Sequence, residues 1–374
     1  MPDPGKGEYA QSGVDYAKIE PFKRAMIAVG KRTLAFPNRR GVYINPDILH
    51  SHGTVFTCKC LTPIWCQTQE GLGNKNWIAE WMRQFIGDGR SYYEGIGIDT
   101  ALMAVNDVIA QGAMPVIFTD EVAAGDSDWF KDEKRAADLA ESFFKVCEMV
   151  GMALPAGESP ALRYLVKAEP PVDSAPSLSG CVTGIIAPSS RLITGQKLSA
   201  GDRIIGVTSS GLHANGVSLI IKRAMALRRQ FLTLLPNGRT LGDEALIPTR
   251  SYVSLVESLL EANVDIHAIL PGTGGGVSKI AFDLRPFRYV IHKWVEVPVI
   301  FQFMRELGVS LVDCLTTFNW GIGYYLFVPP EEVNTILQIG TKKGYHLLEV
   351  GRVEEGRRET VFEPENITLP PPGD

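Results

Sequence analysis

No Cys-x-x-Cys pair occurs in the sequence, and six cysteines (Cys58, Cys60, Cys66, Cys147, Cys181 and Cys314) are few for 374 residues. That spacing offers neither a zinc ribbon nor a dithiol redox pair, and a chain of this length needs no disulfide staple, so a reducing compartment is expected. No apolar run reaches the roughly 20 residues that span a bilayer, and Met1 to Tyr9 lack the basic-then-apolar pattern of an export signal. Nor is there a block of like charge: 37 basic residues stand against 42 acidic ones, a net charge of −5. Nucleic acid and membrane surfaces are therefore not expected partners, and any anionic substrate must be met locally. The Walker A pattern and the GxGxxG fingerprint are both missing, which sets those two nucleotide-binding modes aside. These absences describe a soluble, cytoplasmic, untargeted protein.

What is present is a chain with 45% hydrophobic residues, enough for sizeable cores and, at this length, for two domains. Pro188-Ser189-Ser190 marks the expected boundary, giving domains 1–187 and 188–374. The polar first 50 residues hold one helical stretch around Ile19 to Ala35. Strands are predicted at Thr54 to Cys60, Ile64 to Thr68, Val116 to Asp120, Ala153 to Ala156, Ser179 to Ile186, Arg203 to Thr208, Tyr324 to Val328 and Tyr345 to Val350. Helices are predicted at Asp99 to Gln111, ended by Gly112 and Pro115, and at Ser127 to Val150, ended by Gly151. Further helices are expected from His213 to Arg229, Tyr252 to Ala262, Val297 to Leu307 and Glu331 to Lys343. Cys58, Cys60 and Cys66 read as buried strand thiols, with no fourth metal ligand nearby.

Several motifs carry chemistry. In Gly97-Ile98-Asp99-Thr100-Ala101-Leu102-Met103-Ala104-Val105-Asn106-Asp107, positions seven and eight apart fall about −20° and +80° from the start of a helix. Asp99, Asn106 and, less squarely, Asp107 thus share one side, an oxygen-rich set suited to magnesium. On spacing alone, a capped helix with a solvated polar face is the commoner outcome. Glycine loops at Glu70 to Lys75, Thr273 to Gly276 and Thr317 to Gly323 would let backbone amides crowd a phosphate, although each could be only a turn. Ser209-Ser210-Gly211-Leu212-His213-Ala214-Asn215-Gly216 places a His and an Asn after a strand, suited to polarising a carbonyl or to capping a helix. Glu158, in Ala156-Gly157-Glu158-Ser159-Pro160, could complete a metal site.

Taken in order, these segments resemble aminoimidazole ribonucleotide synthetase from Tyr9 to about Glu354. Tyr9-Ala10-Gln11-Ser12-Gly13-Val14-Asp15 is similar to the family's N-terminal motif, and Gly97 to Pro115 to its metal helix. Ser209 to Leu219, Pro248-Thr249-Arg250-Ser251-Tyr252, Thr273 to Gly276 and Thr317 to Gly323 resemble four further segments. Three places differ from the family's usual pattern. Glu70-Gly71-Leu72-Gly73-Asn74-Lys75 stands where Asp-Gly-Val-Gly-Thr-Lys is usual, Ala161 replaces a second Glu, and Pro271 replaces a His.

The resemblance implies an α+β, two-domain PurM-like fold. Its N-terminal domain would form an intersubunit β-barrel in a homodimer, beside a C-terminal α/β domain with a mixed sheet. It implies ATP and Mg2+ as cofactors and formylglycinamidine ribonucleotide as substrate, closed to aminoimidazole ribonucleotide. Asp99, Asp107, Glu158 and Glu70 would serve the metal, while Lys75, Asn106, Gly157, Thr273, Gly274 and Gly275 would line the nucleotide. His213, Lys75 and Asn215 would act on the substrate. A diverged relative that binds nucleotide for another amide substrate or for regulation is the alternative.

Overall fold

The computed structural model describes residues 42–44, 54–58, 61–125 and 127–372. The segments expected at Tyr9 to Asp15 and Ile19 to Ala35 lie outside these, as do Cys60 and the side chain of Cys58. The first half builds an open six-stranded sheet, in spatial order β1 (Val42–Ile44), β2 (Thr54–Cys58), β3 (Leu61–Gly71), β6 (Ser177–Ile186), β4 (Met114–Ala123) and β5 (Ala153–Glu158). Helices α1 (Lys75–Ile86), α2 (Ile96–Ile109) and α3 (Glu133–Val150) accompany it. The expected barrel is not closed within this chain: among the described residues the sheet is open. Alternation on β6 sends Leu178, Val182 and Ile186 inward toward Phe118 and α2. It turns Cys181, Thr183 and Ile185 to the other face.

The second half builds a seven-stranded mixed sheet: β13 (Ile367–Leu369), β12 (Glu359–Phe362), β9 (Phe287–Ile291), β11 (Leu347–Glu355), β7 (Arg203–Thr208), β10 (Ile322–Val328) and β8 (Ala268–Pro271). β12 and β9 run parallel and the other pairs antiparallel. Strand β10 is buried along its whole length and lies between β7 and β8. Helices α4 (Val217–Met225), α5 (Leu241–Ala245), α6 (Val253–Glu261), α7 (Val299–Glu306), α8 (Leu311–Thr317) and α9 (Val333–Lys342) complete this half.

Three expectations change for local reasons. The long helix from Ser127 is a 3-10 turn (Ser127–Lys131) followed by α3, because the extended Asp132 interrupts the chain and caps the new helix by accepting from the Arg135 N–H at 2.9 Å. The helix expected from His213 starts only at Val217, since His213 itself sits in the left-handed region at φ 58°. The glycine turn expected to end at Lys75 instead opens α1 there. Gly112 behaves as expected: its φ is 79°, and a Cβ would fall 1.9 Å from the Arg191 carbonyl oxygen, so glycine is required where the chain turns into β4.

Candidate active site

Helix α2 lies between the two halves, and almost every residue in it is buried. Its first turn carries Asp99, fully buried against Lys75, which enters from the start of α1. The Lys75 ammonium stands 2.9 Å from both Asp99 oxygens and donates to the Ile247 carbonyl at 2.7 Å. The Thr249 backbone N–H and hydroxyl donate to Asp99 Oδ1 at 2.8 and 2.5 Å. Burial works against both charges, raising the Asp99 carboxyl and lowering the Lys75 ammonium, and their pairing opposes that shift.

Two turns on, the Asn106 side chain donates to the Arg250 carbonyl at 3.0 Å and accepts from the Tyr252 N–H at 3.3 Å. The Tyr324 hydroxyl of β10 donates to the Asn106 carbonyl at 2.9 Å. Asp99 and Asn106, expected at the metal and the nucleotide, thus grip the Ile247 to Tyr252 segment of the second half.

Asp107 has a different environment. Burial pushes its carboxyl up to about 8; the Lys279 charge opposes this, while the Glu70 carboxyl, with which it shares a hydrogen bond, adds to it. Buried Asp107 and half-buried Glu70 in contact resist ionising together even with Lys279 nearby, so Asp107 holds its proton well above the usual carboxylate range. Asp107 Oδ1 is buried with no hydrogen-bond partner among the described residues. Lys279 follows the glycine loop and donates to the Thr273 hydroxyl. Gly276 closes that loop at φ 58°, where a Cβ would meet the Leu315 carbonyl oxygen at 2.5 Å. Gly274 and Gly275 lie between Thr273 and this turn, and the Gly276 N–H bonds back to the Thr273 carbonyl at 3.2 Å.

His213 is buried, and its Nε2 accepts the Ser210 N–H at 3.2 Å, so the ring proton sits on Nδ1. Burial, with the Lys75 and Arg250 charges adding, holds its conjugate acid down at about 3, and the ring is neutral. Asn215, two residues on, leaves its buried Nδ2 without a partner among the described residues. Glu158 is exposed at the end of β5 and accepts the Ser159 N–H at 2.9 Å. Beside it, Gly157 backs onto Asp120, whose Oδ1 would be 2.3 Å from a Cβ. Among the described residues no three His, Cys, Asp or Glu side chains converge as a metal site. The structure therefore brings Glu70 and Asp107 together, and Lys75 with Asp99, without gathering all four expected carboxylates. Cys66, next to this region on β3, is a buried thiol pushed up to about 12 by burial and by Asp107.

Two residues of the site went unassigned in the sequence. Lys279 stands three residues after Gly276, one helical turn beyond the glycine loop, a spacing that could have flagged it. Thr249 lies within a segment recognised as family-like but shows its role only through contact with Asp99.

The AIR synthase related protein family matches most of the chain, its N-terminal domain over residues 62–186 and its C-terminal domain over residues 199–363. A protein of Rippkaea orientalis named phosphoribosylformylglycinamidine cyclo-ligase is 32% identical over 307 residues, covering 80% of this chain and 84% of that protein. One of the same name from Pyrococcus horikoshii is 30% identical over 367 residues, covering 96% and 97%. Crystal structures of hydrogenase maturation protein HypE share the fold. One has a TM-score of 0.58 at 18% identity, covering 82% of this chain and 88% of that chain. A complex with ATP gives 0.53 at 17% identity, covering 82% and 84%. With both of its domains matched in order, the chain belongs to the AIR synthase related protein family.

Proposed function

We propose that the protein is a phosphoribosylformylglycinamidine cyclo-ligase, the activity named for its relatives, and that it uses ATP to close formylglycinamidine ribonucleotide to aminoimidazole ribonucleotide. An amide oxygen is a poor leaving group. Transfer of the ATP γ-phosphoryl to that oxygen makes it a good one; an amidine nitrogen then attacks the carbon, and phosphate departs with ADP left behind. The observation that carries this reading is the Glu70–Asp107 carboxyl pair with its partnerless oxygen, set beside Lys279 and the Thr273 loop.

Magnesium fits that pair. It commonly takes one or two carboxylates and fills its octahedron with water and phosphate oxygens, so Glu70 and Asp107 are enough protein ligands without a third. When bound it supplies positive charge to the transferring phosphoryl group. Lys279 adds a fixed cation, Thr273 to Gly275 supply a close-approach backbone, and Asn215 Nδ2 is a ready donor. His213, neutral and protonated on Nδ1, polarises the amide oxygen by donating a hydrogen bond rather than by delivering a full charge. Lys75 and Asp99 hold the Ile247 to Tyr252 segment in register with this site. Glu158 is assigned to the metal's outer surroundings, since its carboxylate faces solvent.

The domain boundary near 187/188 and a homodimer with an intersubunit barrel belong to the same proposal. The two family matches leave residues 187–198 between them. The outer face of the first sheet carries Trp65 paired with Ile185 and Ile117 paired with Thr183, all incompletely covered, as an unpaired sheet face awaiting a second copy would be. The deciding assay supplies purified protein with formylglycinamidine ribonucleotide, ATP and magnesium. Aminoimidazole ribonucleotide and ADP should form in equal amounts. ATP binding without ring closure would overturn the reading in favour of a nucleotide-binding relative with another role.

A further inference from the structure

The turn between α8 and β10 holds Asn319, a buried residue whose side chain is engaged at both ends. Its Nδ2 donates to the Gly211 carbonyl at 2.8 Å and to the Leu212 carbonyl at 3.2 Å, so both amide hydrogens go to the two residues that precede His213. Its Oδ1 accepts the Gly321 N–H at 2.9 Å, closing the turn by side chain instead of backbone. Trp320 at φ 53° and Gly321 at φ 106° carry the chain through that turn. The Gly321 carbonyl accepts the Ser209 N–H at 2.9 Å. The loop before His213 is thus stitched to the 319–321 turn at Ser209, Gly211 and Leu212.

His213 needs such a hold. Its φ of 58° lies in the left-handed region, costly for a residue with a side chain, and persists only where surrounding contacts fix it. The bond from the Ser210 N–H to Nε2 orients the ring within its own loop. The Ser210 hydroxyl, donating to the Pro248 carbonyl at 2.6 Å, secures the start of that loop, and Asn319 secures the stretch that leads into the ring. On its other side the ring packs closely. A Cβ at Gly323 would fall 2.5 Å from His213 Cε1 and nearer still to the Tyr252 hydroxyl, which donates to the Thr208 carbonyl at 3.1 Å. The imidazole therefore sits in a slot with little room to turn, and a shift of the Gly211–Leu212 backbone moves it.

We propose that Asn319 is a positioning residue for ring closure: by holding the Gly211 and Leu212 carbonyls it keeps the His213 Nδ1–H aimed at the substrate's amide oxygen. This rests on the ring-closure reading and deepens it, because the Thr317 to Gly323 segment then serves the chemistry through a side chain as well as through its glycines. Buried beneath the loop, Asn319 acts on the reaction through His213. A carboxamide suits the place. An aspartate of the same shape could accept from Gly321 but would face two carbonyl oxygens with no hydrogen to offer.

The test is a double-mutant cycle on the full chain. Asn319→Ala should lower kcat about a hundredfold, the cost of displacing a reacting group by ~1 Å, with the Kd for magnesium-ATP kept within about twofold. Made in His213→Ala, the same change should lower kcat no more than about twofold, since the residue through which it acts is gone. A kcat loss of equal size in the two backgrounds, or no loss in either, would overturn the proposal and leave Asn319 a structural residue. If Asn319→Ala does not fold, Asn319→Asp enters the same cycle with the same expectations, because it keeps the shape and the Gly321 bond and loses the donor. If the wild-type protein closes no ring, that failure belongs to the functional reading, and NMR of the histidine ring nitrogens in the ligand-free chain still decides the positioning. Wild type should show His213 as one neutral tautomer protonated on Nδ1, and the Asn319 variant a mixture of tautomers. An unchanged His213 signal in the variant would overturn the positioning role.

Discussion

Asp99 and Asp107 sit at opposite ends of one buried helix, and their surroundings differ in kind. Asp99 meets a lysine, a threonine hydroxyl and a backbone N–H. Asp107 meets another carboxyl group as well as the Lys279 charge; one oxygen of each acid accepts no hydrogen bond among the described residues, but that of Asp99 lies 2.9 Å from the Lys75 ammonium. A buried charge that is paired and hydrogen-bonded serves the fold, because removing its partner leaves a desolvated charge behind. A buried acid placed against another acid, with Lys279 only partly offsetting the cost of its charge, favours a further bound cation, which is the mark of a site. Burial alone would not separate them, nor would a nearby lysine, which each has; the second acid beside Asp107 does.

The strongest way to break this comparison is to truncate each acid. Asp99→Ala leaves the Lys75 ammonium buried and unpaired, and should cost about 3–5 kcal/mol of stability. Asp107→Asn replaces a carboxyl that is already neutral in the folded, ligand-free chain, so that protein should melt no lower than wild type, while its affinity for magnesium-ATP falls. Thermal unfolding without ligand, alongside ATP titration, measures both. Equal losses of melting temperature in the two variants would make Asp107 another structural acid and erase the distinction.

His213 sharpens the same contrast, since it lies near the paired end and yet is assigned to the chemistry. Replacing it by Ala should lower kcat by roughly 10²–10⁴-fold, the range for a side chain that handles a proton or polarises the reacting group. Its buried ring is neutral at working pH, so no histidine step should appear in the wild-type kcat profile between pH 5 and 8. A step near 6.5 that vanishes in the variant would show a charged imidazole at work and defeat the hydrogen-bond role.

Much of this arrangement was legible in the sequence where the signal is local. Arg203 to Thr208 reads as a short buried strand and is one, with those bounds. Gly112 and Pro115 ended α2 within two residues of where it stops. Three left-handed positions in quick succession, Gly211, His213 and Gly216, delay α4, and periodicity does not register them because the apolar spacing continues through. Helix α1 was not read from the sequence although Asn74, a residue favoured at an N-cap, precedes it; in the fold that side chain makes no capping bond and donates instead to Ser218, 144 residues away. The same limit governs the site. Helical spacing put Asp99, Asn106 and Asp107 near one another, but their partners Lys75, Thr249, Glu70 and Lys279 come from other elements. Which of the two acids would meet a second acid is a property of tertiary packing.

The smallest expected effect, and the one that reads the comparison without a ligand, is the pH dependence of stability. The Asp107 carboxyl rises from 3.8 to about 8 on folding, so between those values the folded chain holds a proton that the unfolded chain has released. The stability it contributes is present at low pH and is lost as pH climbs toward 8. His213 falls from 6.5 to about 3, so the unfolded chain binds the extra proton in that range, and stability rises with pH up to 6.5. Between about 4 and 6.5 the two slopes oppose and largely cancel. From pH 6.5 to 8 the Asp107 slope is no longer offset by His213, at up to about 1.4 kcal/mol per pH unit, or ~1–2 kcal/mol over the interval as the group approaches its pKa. The ligand-free protein should therefore melt a few degrees lower at pH 8 than at pH 6.5. Asp107→Asn should flatten that decline, and magnesium-ATP should do so in the wild type, because the cation replaces the proton between Glu70 and Asp107. A decline that persists unchanged in Asp107→Asn would place the titrating group elsewhere and leave the carboxyl pair without its proton.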